Sequence, residues 1–144
     1  MKKSFIVLSV LLVCMFFTST AALAQTNIKV EKFSPLPSST GNLINYIDGT
    51  ITQVDINLVA FEAITDTNTT VDTLTQTIYL QKLSGSSWIT VETYPETKYN
   101  VSFISYNNSA YVTKGDTYRL KVISKATAGV TDTREAYSDP IKIQ

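Results

Sequence analysis

The sequence predicts an all-β domain of two packed antiparallel sheets. From Gly41 onward apolar residues recur nearer every second position than every third or fourth, the period of strands with one face buried and one wet. Thr, Val, Ile and Tyr abound, and their branched or flat side chains suit a pleated surface. Asp, Asn, Gly and Ser punctuate the chain about every ten residues, the spacing of turns between short strands. With 144 residues, 44% of them hydrophobic, there is material for one modest core and not for two ordinary domains.

Taken in order, the chain starts with a positive pair, Lys2 and Lys3, and an apolar run over residues 5–17 broken by Ser9. Ala22-Leu23-Ala24 then supplies the small-x-small pattern that a signal peptidase needs. Residues 1–24 are expected to be a cleaved secretory signal, because the run is shorter than the ~20 apolar residues a spanning helix needs. No later stretch suits an anchor, so no membrane association is expected after cleavage. Processing would remove Cys14, leaving a thiol-free chain with a slight acidic excess that begins at Gln25. Leu11-Leu12-Val13-Cys14 lacks the small residue a lipoprotein box places before its cysteine. Leu36-Pro37-Ser38-Ser39-Thr40-Gly41 has one residue too many for a cell-wall sorting motif and lies at the wrong end of the chain.

Residues 25–40 read as an N-terminal arm or linker, with Ile28, Val30 and Phe33 alternating before Pro35 and Pro37. Residues 41–144 form the domain. Residues 43–51 make a first strand in which Asp48-Gly49 is a bulge, the alternative being a tight turn. Val54-Asp55-Ile56-Asn57-Leu58 is the cleanest alternation in the chain and predicts a strand; residues 65–70 predict a polar loop. Residues 74–83 and 88–94 predict a hairpin about Ser84-Gly85-Ser86-Ser87, its second arm ended by Pro95. Residues 101–106, 118–124 and 137–143 supply three more strands, for a total of about seven, the number for a two-sheet sandwich, with a small barrel as the alternative.

Two local stretches carry a resemblance. Lys114-Gly115-Asp116-Thr117-Tyr118-Arg119-Leu120-Lys121-Val122 resembles the sixth strand of immunoglobulin-like and fibronectin type III-like sandwiches. In those folds a turn precedes a corner tyrosine whose hydroxyl reaches back to the backbone, a role that falls here on Tyr118. Ala136-Tyr137-Ser138-Asp139-Pro140-Ile141 is similar to the closing strand of fibronectin type III domains. The paired cysteines of true immunoglobulin domains are missing, and Trp88 falls later than the usual core tryptophan. The chain also resembles small secreted proteins of Gram-positive bacteria that carry the hairpin seen here as Leu80-Gln81-Lys82-Leu83 to Trp88. That likeness implies a compartment and no mechanism.

Composition narrows the chemistry. Zero histidines and a single cysteine remove His-based acid/base work, most zinc sites and internal disulfides. Twelve basic and twelve acidic residues leave no cationic surplus for phosphates, so no nucleic-acid partner is expected. Asp66-Thr67-Asn68 and Asp132 offer oxygen ligands without the pattern of a calcium loop, so no metal and no cofactor are expected. The triplets at Asn68, Asn100 and Asn107 match glycan acceptors but read as exposed polar segments in a bacterial product. Glu92 with Glu96, or Glu62 with Asp66, could form a carboxylate pair. Trp88 reads as a packing residue.

Tyr94, Tyr99, Tyr106 and Tyr111 are the candidate ligand-binding residues, since an exposed tyrosine row combines apolar area with a hydrogen-bonding tip. The expected function is that of a secreted, non-catalytic recognition or structural module at the cell surface, a monomer whose partner is an extracellular glycan or protein. A carbohydrate-binding module using these tyrosines and a small carboxylate-dependent glycosidase are the alternatives.

Overall fold

The computed structural model describes residues 42–144, so the signal expected at 1–24 and the arm expected at 25–40 lie outside the described residues. The described residues form six strands: β1 (Ile44–Asp55), β2 (Leu58–Ser84), β3 (Ser87–Tyr111), β4 (Thr117–Ala128), β5 (Val130–Tyr137) and β6 (Ile141–Lys142). All pairings are antiparallel, and the strands join into one continuous sheet curled as a half-barrel.

The curl follows from β2. At 27 residues it would extend roughly 90 Å if straight, too long for a molecule of this size. It bends where residues 67–70 are set against Ser102 alone, and Asn100 takes a left-handed φ of 54° just beyond, on β3. Along one edge β2 keeps β3 as its partner throughout. On the other edge it pairs first with β1 and, past the bend, with β4. β5 and β6 then continue from β4, with Ser138 filling the gap between them. The Ser138 amide donates to the Leu120 carbonyl at 3.1 Å, and its Oγ accepts from the Leu120 amide at 2.9 Å.

Bending brings the two halves of the sheet together over a core. One cluster holds Ile51, Phe61, Ile78, Leu80, Leu120 and Val122; a second holds Ile44, Val71, Leu74, Ile104 and Ala126. Each fully buried Ile, Leu or Val contributes about 2 kcal/mol. On β2 and β4 the step between clusters passes through Gln76 and Ser124, both fully buried. Gln76 Nε2 donates to Thr65 Oγ1 at 2.7 Å, which lies 2.6 Å from Ser124 Oγ. Asp132, also buried, accepts from the Ile44 amide at 3.0 Å and from Arg134 at 3.3 Å, tying β5 to the start of β1.

Several expected elements are corrected. The alternation over residues 54–58 is not one strand: Val54 and Asp55 end β1, Ile56 and Asn57 turn, and Leu58 opens β2 opposite Asp55, with Val54 and Ile56 exposed. Asp55 Oδ1 accepts from the Ile56 amide, so the residues that resembled a wet strand face act as turn formers. Asp48-Gly49 is neither bulge nor turn; both lie in regular register with Ile64 and Ala63, and the irregularities fall at Asn45 and Val54. The loop expected at 65–70 belongs to β2. Its Thr65 and Thr67 are buried with their hydroxyls satisfied, the single Thr67 proton shared between the Thr69 and Ser102 carbonyls at 2.8 and 2.9 Å.

Pro95 does not end a strand. It sits opposite Thr77 inside β3, where a missing amide donor is tolerated because β2 is the strand's one described partner. The strand expected at 137–143 is divided by residues 138–140, and β5 precedes it. The hairpin about Gly85 and Ser86 lies where the sequence placed it, Gly85 supplying a φ of 61°.

Candidate functional site

The four candidate tyrosines separate into two situations. Tyr94 and Tyr106 face inward from the two halves of β3 and meet across the curl, their ring centroids 6.0 Å apart. Tyr94 also packs on Phe61 at 4.9 Å. The Tyr94 hydroxyl donates to Glu92, and Tyr106 accepts from Asn108 Nδ2 at 3.0 Å. Burial, followed by the bond to Glu92, pushes the Tyr94 phenol well above its ordinary range. This pair packs, half-buried, against the first core cluster. Tyr99 and Tyr111, 69% and 77% exposed, stand near the bend and at the end of β3, so the four do not form one row.

Tyr118 is buried, and its hydroxyl accepts from the Thr113 amide at 3.0 Å across the turn that precedes β4. Gly115, at a φ of 87°, shapes that turn, and Asp116 closes it with an ion pair to Lys82 at 2.6 Å.

A shallow, open trough of about 540 Å³ lies across β1, β2 and β3. Thr50, Thr52, Glu62, Asn107, Asn108 and Ser109 supply its polar lining. Strand alternation places Thr50, Thr52, Glu62, Asn107 and Ser109 on one face: Thr50 and Thr52 flank buried Ile51, Glu62 lies between buried Phe61 and Ala63, and Asn107 and Ser109 flank Asn108, which pairs with Phe61. Register then aligns Thr50, Glu62 and Asn107 in one row across the strands. Glu62 Oε1 accepts from Ser105 Oγ at 3.1 Å, which orients the trough's carboxylate. The lining can exchange several neutral hydrogen bonds with a polyhydroxyl or peptide ligand, and it contains one acidic group.

A second cluster crosses the outer face of β2 to β5. The Arg119 guanidinium lies over the Trp88 ring at 4.3 Å and the Tyr137 ring at 4.4 Å, and its Nε donates to Gln81 at 3.0 Å. Lys121 pairs with Glu135 at 2.9 Å, and Tyr137 donates to Glu135 at 3.1 Å. Burial draws Arg119 below its ordinary value. The bond from Lys121 holds the Glu135 carboxyl low, while the same bond raises Lys121. Each charge here has an internal partner, so the cluster acts as a cross-strand brace.

The carboxylates singled out by the sequence are dispersed. Glu62 is held by Ser105, Asp66 accepts from Asn45 at 3.0 Å, and Glu92 is held by Tyr94. Among the described residues, no group of three or more His, Cys, Asp or Glu is placed to hold a metal ion. Sequence reasoning missed the trough and the Arg119 brace. The signal for the trough was there in the polar residues alternating with Ile51 and Phe61; the brace needed strand pairing to be known.

No family model, curated protein or solved structure matches this chain.

Proposed function

We propose that the chain is an exported, non-catalytic module that recognises an extracellular glycan or protein, or supports the cell surface structurally. The observation that carries this reading is the trough: Thr50 and Asn107 in register with Glu62, whose carboxylate Ser105 orients, and Thr52 and Ser109 two residues along the same strands. Such a lining suits reversible recognition. Hydrolysis of a glycosidic bond by the usual route needs two carboxyl groups flanking it. The export half of the reading rests on the N-terminal charge and hydropathy pattern. Kinship with immunoglobulin-like or fibronectin type III-like sandwiches, and with secreted Gram-positive proteins, belongs to the same proposal; the Tyr118 corner supports the former.

A glycan array followed by titration calorimetry tests the binding claim. Glu62→Gln and Asn107→Ala are expected to weaken an observed ligand about tenfold each, the scale of one lost hydrogen bond to a charged or well-oriented group. If no glycan binds and no protein is retained from culture medium by the wild-type chain, recognition is refuted. Release of reducing sugar that Glu62→Gln abolishes would replace this reading with a carboxylate-dependent glycosidase.

A further inference from the structure

Among the described residues β3 pairs with β2 alone, which leaves its other edge without a strand, and its two halves are built differently. The first half carries Glu92, Pro95, Glu96 and Lys98, residues that discourage another strand from pairing. The second half, residues 101–111, contains no charge, proline or glycine, and it exposes Phe103 and Tyr111 at 48% and 77%. The other outer strands are better guarded. β5 is short and carries Asp132, Arg134 and Glu135; β1 carries Asp48 and Asp55 and is capped at Gln53 by Gln144.

The unguarded segment also has a symmetric pattern. Reading outward from Asn107, Tyr106 matches Asn108, Ser105 matches Ser109, Ile104 matches Ala110, and Phe103 matches Tyr111. Two copies laid antiparallel about a two-fold axis at Asn107 would therefore set aromatic against aromatic, aliphatic against aliphatic and hydroxyl against hydroxyl, each twice. No like charges would meet. Tyr106 and Asn108 already form a hydrogen bond within one chain, so their chemistry suits the same pairing between chains.

We propose that residues 101–111 of β3 are a homotypic docking edge at which a second copy of this chain adds its own β3, antiparallel and centred on Asn107. The join fuses two half-barrels into one continuous sheet. Because Asn107 and Ser109 line the trough, it also brings the two troughs side by side. The inference departs from the monomer expected of the sequence and is independent of whether the trough binds a glycan.

Sedimentation of the full-length chain over a concentration series tests it. The wild type is expected to show a monomer–dimer equilibrium, and Phe103→Lys, which removes an aromatic cross-strand pair and puts a solvated charge on the pairing edge, is expected to weaken it about tenfold or more. Thr97→Lys, outside the segment, is expected to leave it unchanged. In a Cys14→Ser background, Asn107→Cys places the new thiol opposite itself and is expected to give a covalent dimer on oxidation. Ser105→Cys faces Ser109 of the second copy and is expected to give none, which keeps the test valid should Phe103→Lys fold poorly. A wild type that is monomeric throughout, or equal cross-linking by both cysteine variants, would overturn the proposal. So would a dimer indifferent to Phe103→Lys but lost on deletion of residues 25–33, since that would make the arm the occupant.

Discussion

Buried polar atoms tie together parts of this chain that are far apart in sequence. Asp132 holds the first residue of β1 from 88 positions away, Thr65 meets Ser124, and Ser138 repairs the ladder between two strands. Each bond offsets a desolvation cost that would otherwise oppose burial. Tyr118 shows how much one such atom contributes. Its ring packs in the core while its hydroxyl caps the Thr113 amide, and Thr113 is exposed enough for water to take over that amide. Tyr118→Phe is expected to cost about 1 kcal/mol, read as a lower urea midpoint with an unchanged slope. A loss near the scale of a core truncation, about 3 kcal/mol, would mean that the hydroxyl also fixes the turn.

Among the elements, β1 comes close to β4 at Gly49. A Cβ built there would stand 3.0 Å from Val122 Cγ2 and 3.7 Å from Leu120 Cδ1 on β4. Gly49→Val is expected to destabilise by about 2 kcal/mol through overpacking, checked by thermal unfolding. Asp48-Gly49 drew attention in the sequence as a turn or bulge signal, yet the glycine is there because β4 lies against it. The same limit explains the other misplaced elements. Residues 74–83, the Gly85 turn and the inward residues of β4 were legible because alternation and turn chemistry agree there. Thr65 to Thr70 looked like a loop because a buried threonine satisfied by Ser124 has the same composition as a solvated one. β5 was hidden because its inward positions include Asp132 and Arg134, whose partners lie on β1 and before it. Of the candidate site, the tyrosines could be named but not sorted, since the bend that brings Tyr94 to Tyr106 is a property of register.

For the whole molecule, the titrating groups define a stability window. Glu135 has a folded-state carboxyl below its ordinary value of 4.5, chiefly through Lys121. Its contribution is therefore present above that value and is lost as pH falls through the folded one. Tyr94 and Lys121 are raised above ordinary values of 10.0 and 10.5, the first by burial and the second by the bond to Glu135. Their contributions are present below those values and are lost as pH climbs through the folded ones. Denaturant midpoints should form a plateau between the carboxylate and phenol ranges and decline on both sides. Glu135→Gln is expected to flatten the acid limb, and Tyr94→Phe the alkaline one. High salt is expected to reduce the Glu135 effect, because that ion pair is partly open to solvent.

β2 belongs to both halves of the sheet, and this constrains how such a protein could be inherited. A recombination point at the bend of β2 would part β1 from β4 and separate residues 103–111 of β3 from the half of β2 with which they pair. Duplication or shuffling has to carry the described domain entire. Its smallest transferable part is the fold itself, unlike arrays in which a single hairpin can be copied and stacked.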